Sequence, residues 1–225
     1  MKALIIAAHP DDEVLGCAGI IAKMRNSGID PYVLIMTNGA AGRYPGSMRR
    51  TLKECAKKAN KMLGTKKVFF ENLPNQRLDD IPFIKVIRTI EGRLEAIKPE
   101  AVFTHHAGDL NKDHRIINTA TMTAVRPLPG GCVRRVYAYL VPSSSEWNMV
   151  EGENIFIPNT FVDIKEELEL KIEAMKAYKS ECREYPHPRS PEAIRVYSAY
   201  WGLIAGLEYA EPFKLIRDIS QRILK

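Results

Sequence analysis

The chain has 225 residues, of which 45% are hydrophobic and 27% are charged. This is the composition of an ordinary globular protein, and it excludes a disordered chain, a collagen-like chain and a coiled coil. No apolar run approaches the roughly 20 residues that a membrane-spanning helix needs, so we predict no membrane span. A chain of this length can bury a sizeable core, and we expect one domain over residues 1–225.

Lys and Arg together number 33 against 27 Asp and Glu, which gives a formal net charge of +6. A basic chain can bind nucleic acid or an anionic surface. Here, however, the basic residues are dispersed in doublets such as Arg134-Arg135, and no nucleic-acid-binding motif is present. We therefore predict no nucleic-acid partner.

The beginning of the chain predicts a buried strand. Its apolar run ends at Ala8 and is followed by His-Pro-Asp-Asp-Glu, and a cleavable signal peptide would not contain three acids there. The four cysteines are irregularly spaced and form no CxxC pair, which is typical of free thiols in a reducing compartment. We therefore expect a cytoplasmic protein.

Strand-length apolar runs alternate with helix-length amphipathic segments in the first half of the chain. The predicted strands are Leu4–Ala8, Tyr32–Met36, Val68–Phe70 and Ala101–Thr104. The predicted helices are Glu13–Asn26, Ser47–Leu63 and Ile84–Ile97. This alternation indicates βαβ units, and hence an α/β fold with a mostly parallel sheet and helices on both faces.

The second half is less regular. Its predicted strands are Val136–Val141, Thr160–Val162 and Phe213–Ile216. Asp163 and Glu166 resemble a capping box, which predicts a helix from there to about Tyr178. Ser190-Pro191-Glu192 is a typical helix start, and that helix should end near Leu207.

Four of the five histidines lie beside acids in two segments that follow predicted strands. The segment 9–13 reads His-Pro-Asp-Asp-Glu, and the segment 105–115 contains three histidines and two aspartates. Ligands of open α/β sheets bind beyond the carboxyl ends of the strands, so these two segments are well placed to form one metal site. Imidazole and carboxylate are zinc ligands, and a catalytic zinc usually has three protein ligands and a bound water. Such a metal suits hydrolysis, because it lowers the pKa of bound water to about 7.

Each of these features also has a purely structural interpretation. The acids of segment 9–13 could stabilise a helix N-terminus, although one aspartate would be enough for that. His114 could equally be a histidine at the start of a helix. His105 and His106 are neighbours on one strand end and point to opposite faces, so at most one of them should face the site. His187 lies in a proline-rich loop, where an exposed histidine is unremarkable.

Two motifs, Ala8–Glu13 and Asp109–Arg115, resemble those of the LmbE-like (PIG-L) family of zinc-dependent N-acetyl-sugar deacetylases. Shorter similarities follow at Thr37–Gly39, at Arg50 with Glu54, and at His187–Glu192. Together the similar stretches extend from residue 1 to about residue 216. The resemblance implies a Rossmann-like α/β fold and removal of the acetyl group from a 2-acetamido sugar.

The resemblance also implies catalytic and metal-binding roles, position by position. The zinc ligands would be His9, Asp12 and His114. Asp11 would be the general base, and Asp113 would orient or tune the acid–base group. His187 would approach from the C-terminal segment and help to hold the oxyanion.

For the substrate, the resemblance implies that Arg50 lines the sugar pocket, and we name Asn38 and Asp109 as further candidate contacts. The sequence departs from the family pattern at two places. Some members have a histidine where this chain has Asn111, so a relay that uses that histidine is in doubt here. Asn38 and Asn75 stand where the family often has an acid, which could alter the sugar that fits.

We therefore predict a cytoplasmic zinc hydrolase that converts an N-acetylglucosamine-like conjugate into a free amine and acetate. Because the family often assembles, we also expect a homo-oligomer. One alternative is a metal-dependent hydrolase that acts on a non-sugar amide or uses another metal. The other is a carbohydrate-binding module without turnover, although such a module would have no use for a free base at Asp11.

Overall fold

A seven-stranded β-sheet forms the centre of the structure. The structure is a computed structural model, and it describes residues 1–39, 48–148 and 151–219, without the side chains of residues 48–50 and 153. In chain order the strands are β1 (Lys2–Ala7), β2 (Asp30–Thr37), β3 (Lys67–Leu73), β4 (Ala101–His105), β5 (Arg135–Tyr139), β6 (Thr160–Asp163) and β7 (Ala210–Asp218). Across the sheet their order is β3-β2-β1-β4-β5-β7-β6. The first five strands are parallel, and β7 and β6 extend the sheet in antiparallel fashion. The predicted mostly parallel sheet is confirmed.

Helices cover both faces of the sheet, as predicted. In the described part of the chain they are α1 (Asp12–Asn26), α2 (Met48–Met62), α3 (Phe83–Ile97), α4 (Lys112–Ala124), α5 (Leu168–Lys176) and α6 (Pro191–Ala205). Alternate residues of β1 enter two separate cores: Ile5 packs on the face of α1 and α5, and Ile6 packs on the face of α3 and α4. Burial on both faces explains why the strand is apolar without interruption.

The reversal of strand order occurs at β1, which pairs with β2 on one side and with β4 on the other. Ligands of open α/β sheets bind at such a point, beyond the carboxyl ends of the strands. There β1 ends at Ala7 and β4 ends at His105. The topology therefore brings together the two segments that are rich in histidine and acid.

Two helices differ from the expectations. The helix predicted from Asp163 begins only at Leu168, because the Asp163 side chain accepts the N–H of Lys165 at 2.9 Å in a turn instead of starting a helix. Helix α4 was not predicted, since its sequence is polar and contains several β-branched residues, which form helices less readily. Its N-terminus is capped by Asn111, whose side chain accepts the N–H of Asp113 at 2.9 Å.

The start of α6 is confirmed. Ser190 accepts the N–H of Ala193 through its side chain at 3.0 Å, and Pro191 is the first helical residue. In the part of the chain that the structure describes, no helix exceeds 15 residues. None of these helices is long and apolar enough to cross a bilayer.

Candidate active site

Three side chains converge where β1 and β4 end. The distance from His9 Nδ1 to His114 Nε2 is 3.2 Å, and each of these atoms lies 3.3 Å from Asp12 Oδ2. Ligand atoms placed tetrahedrally at about 2.0–2.1 Å from a zinc ion are separated by about 3.3 Å. The triangle of ligand atoms therefore has the size of one face of a zinc coordination tetrahedron.

The local fold explains this convergence. His9 follows β1 and Asp12 begins α1, and the carboxylate of Asp12 accepts the backbone N–H of His9 at 2.8 Å. His114 lies in the first turn of α4, which follows the neighbouring strand β4. All three side chains are largely buried, so their polar atoms have little access to water.

The charges within this cluster also suit a divalent cation. Burial alone would lower the pKa of His114, but the carboxylates of Asp12 and Asp109 raise that pKa to about 10. Burial likewise opposes ionisation of Asp12, yet His114 and His9 hold its pKa well below the usual range. A field that favours positive charge at this point favours a metal ion there as well, and the metal would displace the protons.

Asp113 contacts Nε2 of His9, the ring nitrogen that is not part of the triangle. His9 Nε2 is 3.1 Å from Asp113 Oδ2, which also accepts the backbone N–H of Gln76 at 2.7 Å. The second carboxylate oxygen accepts the N–H of Leu78 at 3.1 Å. Carboxylates in this position fix the tautomer and orientation of metal-binding histidines. The geometry thus places Asp113 against His9, whereas the family resemblance implies that Asp113 orients or tunes the acid–base group.

Asp109 has the same relation to His114. Its Oδ1 lies 3.1 Å from His114 Nδ1, although the two groups are not aligned well enough for a full hydrogen bond. The carboxylate also accepts the hydroxyls of Ser144 and Ser145, each at 2.5 Å, and the N–H of Asn111 at 2.8 Å. The side chain of Asp109 is fully buried beside His114, which it is placed to orient. Substrate contact by Asp109 stays a prediction.

Substitution of Asp113 tests these supporting contacts. We expect Asp113→Asn to weaken metal affinity by about 10–100-fold, because the amide can no longer hold His9 as a charged acceptor does. The measurement is competition with a chelator of known affinity. The control is Asp80→Asn, which changes an exposed aspartate that pairs with Arg77. Equal metal affinities in Asp113→Asn and the wild type would contradict the assigned role.

The structure shows which of the paired histidines faces the site. The ring of His105 stacks on that of His114 with centroids 4.0 Å apart, and its Nε2 accepts the N–H of Ala8 at 2.8 Å. Burial lowers the pKa of His105 well below its usual value, so it is neutral. His106 points away and contacts the carbonyl oxygen of Asn154 at 3.0 Å. His105 therefore supports His114 and the turn after β1.

Asp11 is held in an unusual backbone conformation beside the triangle. Its φ of 107° lies in the left-handed region, which is costly for a residue other than glycine. Strain of this kind is found mainly at functional sites, where the surrounding structure enforces it. The Asp11 carboxylate is buried and accepts Arg189 Nη1 at 2.8 Å. Burial raises the pKa of Asp11 to about 8, although the Arg189 guanidinium acts in the opposite direction.

Glu13 holds the same turn through hydrogen bonds. One of its oxygens accepts the N–H of Asp11 at 3.1 Å, and the other accepts the Tyr178 hydroxyl at 2.6 Å and the Asn60 amide at 2.8 Å. Burial raises the pKa of Glu13 to about 7 despite the Tyr178 hydroxyl, which lowers it. The sequence did not indicate Tyr178 and Asn60 as supports of this turn, because both lie far from it in the chain.

A cavity of about 500 Å³ opens in front of the triangle, and Asp11, His114, Trp147 and His187 line it. His187 Nδ1 accepts the backbone N–H of Arg189 at 3.1 Å. Burial and then the Arg189 charge lower the pKa of His187, and because Nδ1 accepts an N–H, the neutral ring carries its proton on Nε2. Trp147 is 54% exposed, and its ring meets that of His187 edge-on with centroids 5.7 Å apart. Of the two tryptophans, Trp147 is therefore the one that lines this cavity.

The remaining predicted substrate contacts lie at the edge of this region. The side chain of Arg50, on α2, lies outside the described residues. Asn38 is half-buried and donates its backbone N–H to Leu73 at 3.1 Å. Its neighbour Gly39 lines the cavity with a φ of 73°, and a Cβ there would come within 2.9 Å of Pro10. Substrate contact by Arg50 and Asn38 stays a prediction.

Two relatives of this chain are named as deacetylases. The chain is 28% identical to diacetylchitobiose deacetylase of Thermococcus kodakarensis, over 99% of this chain and 85% of that protein. It is 30% identical to the uncharacterized deacetylase YaiS of Escherichia coli K12, over 79% of this chain and 90% of that protein.

A solved structure of a protein that is named for a different activity shares the fold. The structure of GalB, the 4-carboxy-2-hydroxymuconate hydratase of Pseudomonas putida KT2440, superposes with a TM-score of 0.77 over 100% of this chain and 99% of that chain, at 19% identity. At this identity the likeness concerns the fold alone. The fold therefore does not identify the reaction, which depends on the residues of the site.

The model of the PIG-L family, described as GlcNAc-PI de-N-acetylase, matches residues 4–125, more than half of the chain. The matched region extends from β1 to the end of α4, so it contains His9, Asp12 and His114. The resemblance found in the sequence is confirmed: the chain belongs to the PIG-L (LmbE-like) family.

Proposed function

We propose that this protein is a zinc-dependent hydrolase that removes the N-acetyl group from a 2-acetamido sugar conjugate. The observation on which this rests is the triangle of His9, Asp12 and His114 atoms, which lies beside the buried carboxylate of Asp11 at a cavity lined by His9, Asp11 and His114. Membership of the family and a relative named diacetylchitobiose deacetylase support an acetylated sugar as substrate.

In this proposal His9, Asp12 and His114 hold the zinc ion. Two imidazoles and one carboxylate are a ligand set that catalytic zinc sites use, with one position left for water or substrate. When bound, the metal supplies a water of near-neutral pKa and polarises the amide carbonyl. Asp113 and Asp109 keep the two histidines oriented for this task.

Asp11 is the proposed general base. An acetamide is a poor electrophile and an amine is a poor leaving group, so the reaction needs proton transfer at both ends. Asp11 would accept a proton from the attacking water and deliver it to the departing nitrogen. Arg189 donates to Oδ2 of this carboxylate, and in the proposed mechanism the other oxygen, Oδ1, accepts the proton.

His187 is the proposed donor to the developing oxyanion. Since Nδ1 accepts a backbone N–H, the neutral ring would carry its proton on Nε2, and His187 lines the cavity into which this proton would be donated. A donor of this type contributes about 2.7–4 kcal/mol to the transition state in other hydrolases. Asp11 and His187 would thus act on the water and on the carbonyl oxygen, respectively.

Product analysis tests the proposal. The purified protein is incubated with N-acetylglucosamine conjugates, and acetate and primary amine are both quantified. We expect the two products in equal amounts, with the rate depending on the conjugate. N-acetylated amino acids serve as the comparison, since faster release from them would favour the non-sugar amide hydrolase. Binding of sugars without release would favour a carbohydrate-binding module and contradict the proposal.

We also propose that the chain acts as a single cytoplasmic domain and assembles as a homo-oligomer. The single sheet, whose strands extend from Lys2 to Asp218 in the described residues, is consistent with one domain. Light scattering of the purified protein measures its mass in solution and tests the assembly.

A further inference from the structure

We propose that Arg189 is a positioning residue that holds both Asp11 and His187 in their reactive orientations. The inference rests on the proposed function, because it concerns the two groups to which the mechanism assigns proton transfer and oxyanion binding. It goes beyond the roles implied by the family resemblance, which assigned none to Arg189.

In the described part of the chain, the side chain of Arg189 contacts two carboxylates and one hydroxyl of the site. Its Nη1 donates to Asp11 Oδ2 at 2.8 Å and to Glu181 Oε2 at 3.0 Å. Its Nε donates to the hydroxyl of Ser143 at 2.7 Å. A planar guanidinium presents its donors in a fixed arrangement, so the contacts to Glu181 and Ser143 hold Nη1 in place and thereby fix the position of Asp11 Oδ2.

The main chain of Arg189 acts on the other catalytic group. Its N–H donates to His187 Nδ1 at 3.1 Å, which leaves the ring proton on Nε2. One residue therefore touches Asp11 through its side chain and His187 through its backbone. A substitution at this position changes only the first of these two contacts, so the side-chain role can be tested alone.

The surroundings of Asp11 explain why a cation is needed there. Asp11 and Glu181 are both buried and share the same guanidinium nitrogen, and Asp12 and Glu13 are adjacent. Without the guanidinium, the two carboxylates would repel one another across a region of low dielectric constant. Asp11 would then turn away from the cavity, and the proton acceptor would be misplaced.

Steady-state kinetics of Arg189→Met and Arg189→Lys test the inference. Misplacement of a catalytic group by about 1 Å lowers the rate about 100-fold, and we expect a loss of this size in kcat for Arg189→Met. The expected change in KM is less than about threefold, because Arg189 is not assigned to substrate binding. Arg189→Lys should retain part of the activity, since its ammonium can replace the charge but not the planar geometry.

The matched control is Arg195→Met, which removes an exposed arginine that pairs with Glu169 at 2.6 Å on the outer surface. Thermal unfolding and zinc content are measured for each variant, and both should equal those of the wild type in Arg189→Lys. If Arg189→Met fails to fold, Arg189→Lys alone decides. A kcat like that of the wild type in the folded Arg189 variants, or an effect on KM alone, would overturn the inference.

A double-mutant cycle distinguishes positioning of Asp11 from other effects. In the Asp11→Asn background, Arg189→Met should lower the residual kcat far less than in the wild type, because the group that Arg189 positions is already lost. Additive losses would contradict the inference. Failure of the wild type to release acetate would instead contradict the proposed function, so the two failures are distinguishable.

Discussion

Asp11→Asn is expected to lower kcat by about 10²–10⁴-fold while the protein keeps its full complement of zinc. The amide has the shape of the carboxylate, and its oxygen can still accept Arg189 Nη1, so the turn after β1 should be retained. What it loses is the ability to accept a proton. Asparagine is also tolerated better than most residues at positive φ, so the change should not unfold the turn.

The measurement for Asp11→Asn combines acetate release with metal analysis and thermal unfolding. We expect a Tm at or above that of the wild type, because a buried charge has been removed at a strained position. The control is Asp30→Asn, which changes a partly exposed aspartate near Lys66. Turnover at the level of the wild type would remove Asp11 from its proposed role.

His114→Ala should have the largest effect on metal binding. The substitution removes one of the three ligand atoms of the triangle, so the loss of zinc affinity should exceed the about 10–100-fold expected from supporting residues such as Asp113. Metal analysis after dialysis against a chelator should find the variant essentially free of zinc. Acetate release should fall with the metal content.

His106→Ala is the matched control for His114→Ala, since His106 belongs to the same segment and points away from the triangle. We expect it to retain zinc and turnover. Full zinc occupancy in His114→Ala would show that the ligand set is wrong. Loss of zinc from both variants, with a lowered Tm in each, would indicate general disruption of the segment and would not support a ligand role.

The fold was predictable because its signals are local. The apolar strands and amphipathic helices of the first half predict a parallel sheet with helices on both faces, and the structure confirmed this arrangement. The two segments that provide His9, Asp12 and His114 were also visible, because each follows a strand. Their assignment as specific ligands, however, came from the family resemblance and not from spacing.

The supporting contacts were not predictable, because they join residues far apart in the chain. Nothing local links Arg189 to Asp11 or Tyr178 to Glu13, and only the folded structure brings these pairs within 2.8 Å and 2.6 Å. Asp109 is a further example. Its position in a recognisable motif predicted a site residue but not the group that it contacts. Its burial against Ser144 and Ser145 shows that it faces His114.

We expect deacetylation to require zinc held by His9, Asp12 and His114. A metal titration tests this requirement most directly. Zinc is removed by chelation and returned stepwise while acetate release from an N-acetylglucosamine conjugate is followed. We predict no acetate release from the metal-free protein and a linear recovery of acetate release that ends at one zinc per chain. Acetate release that persists after complete removal of the metal would contradict it.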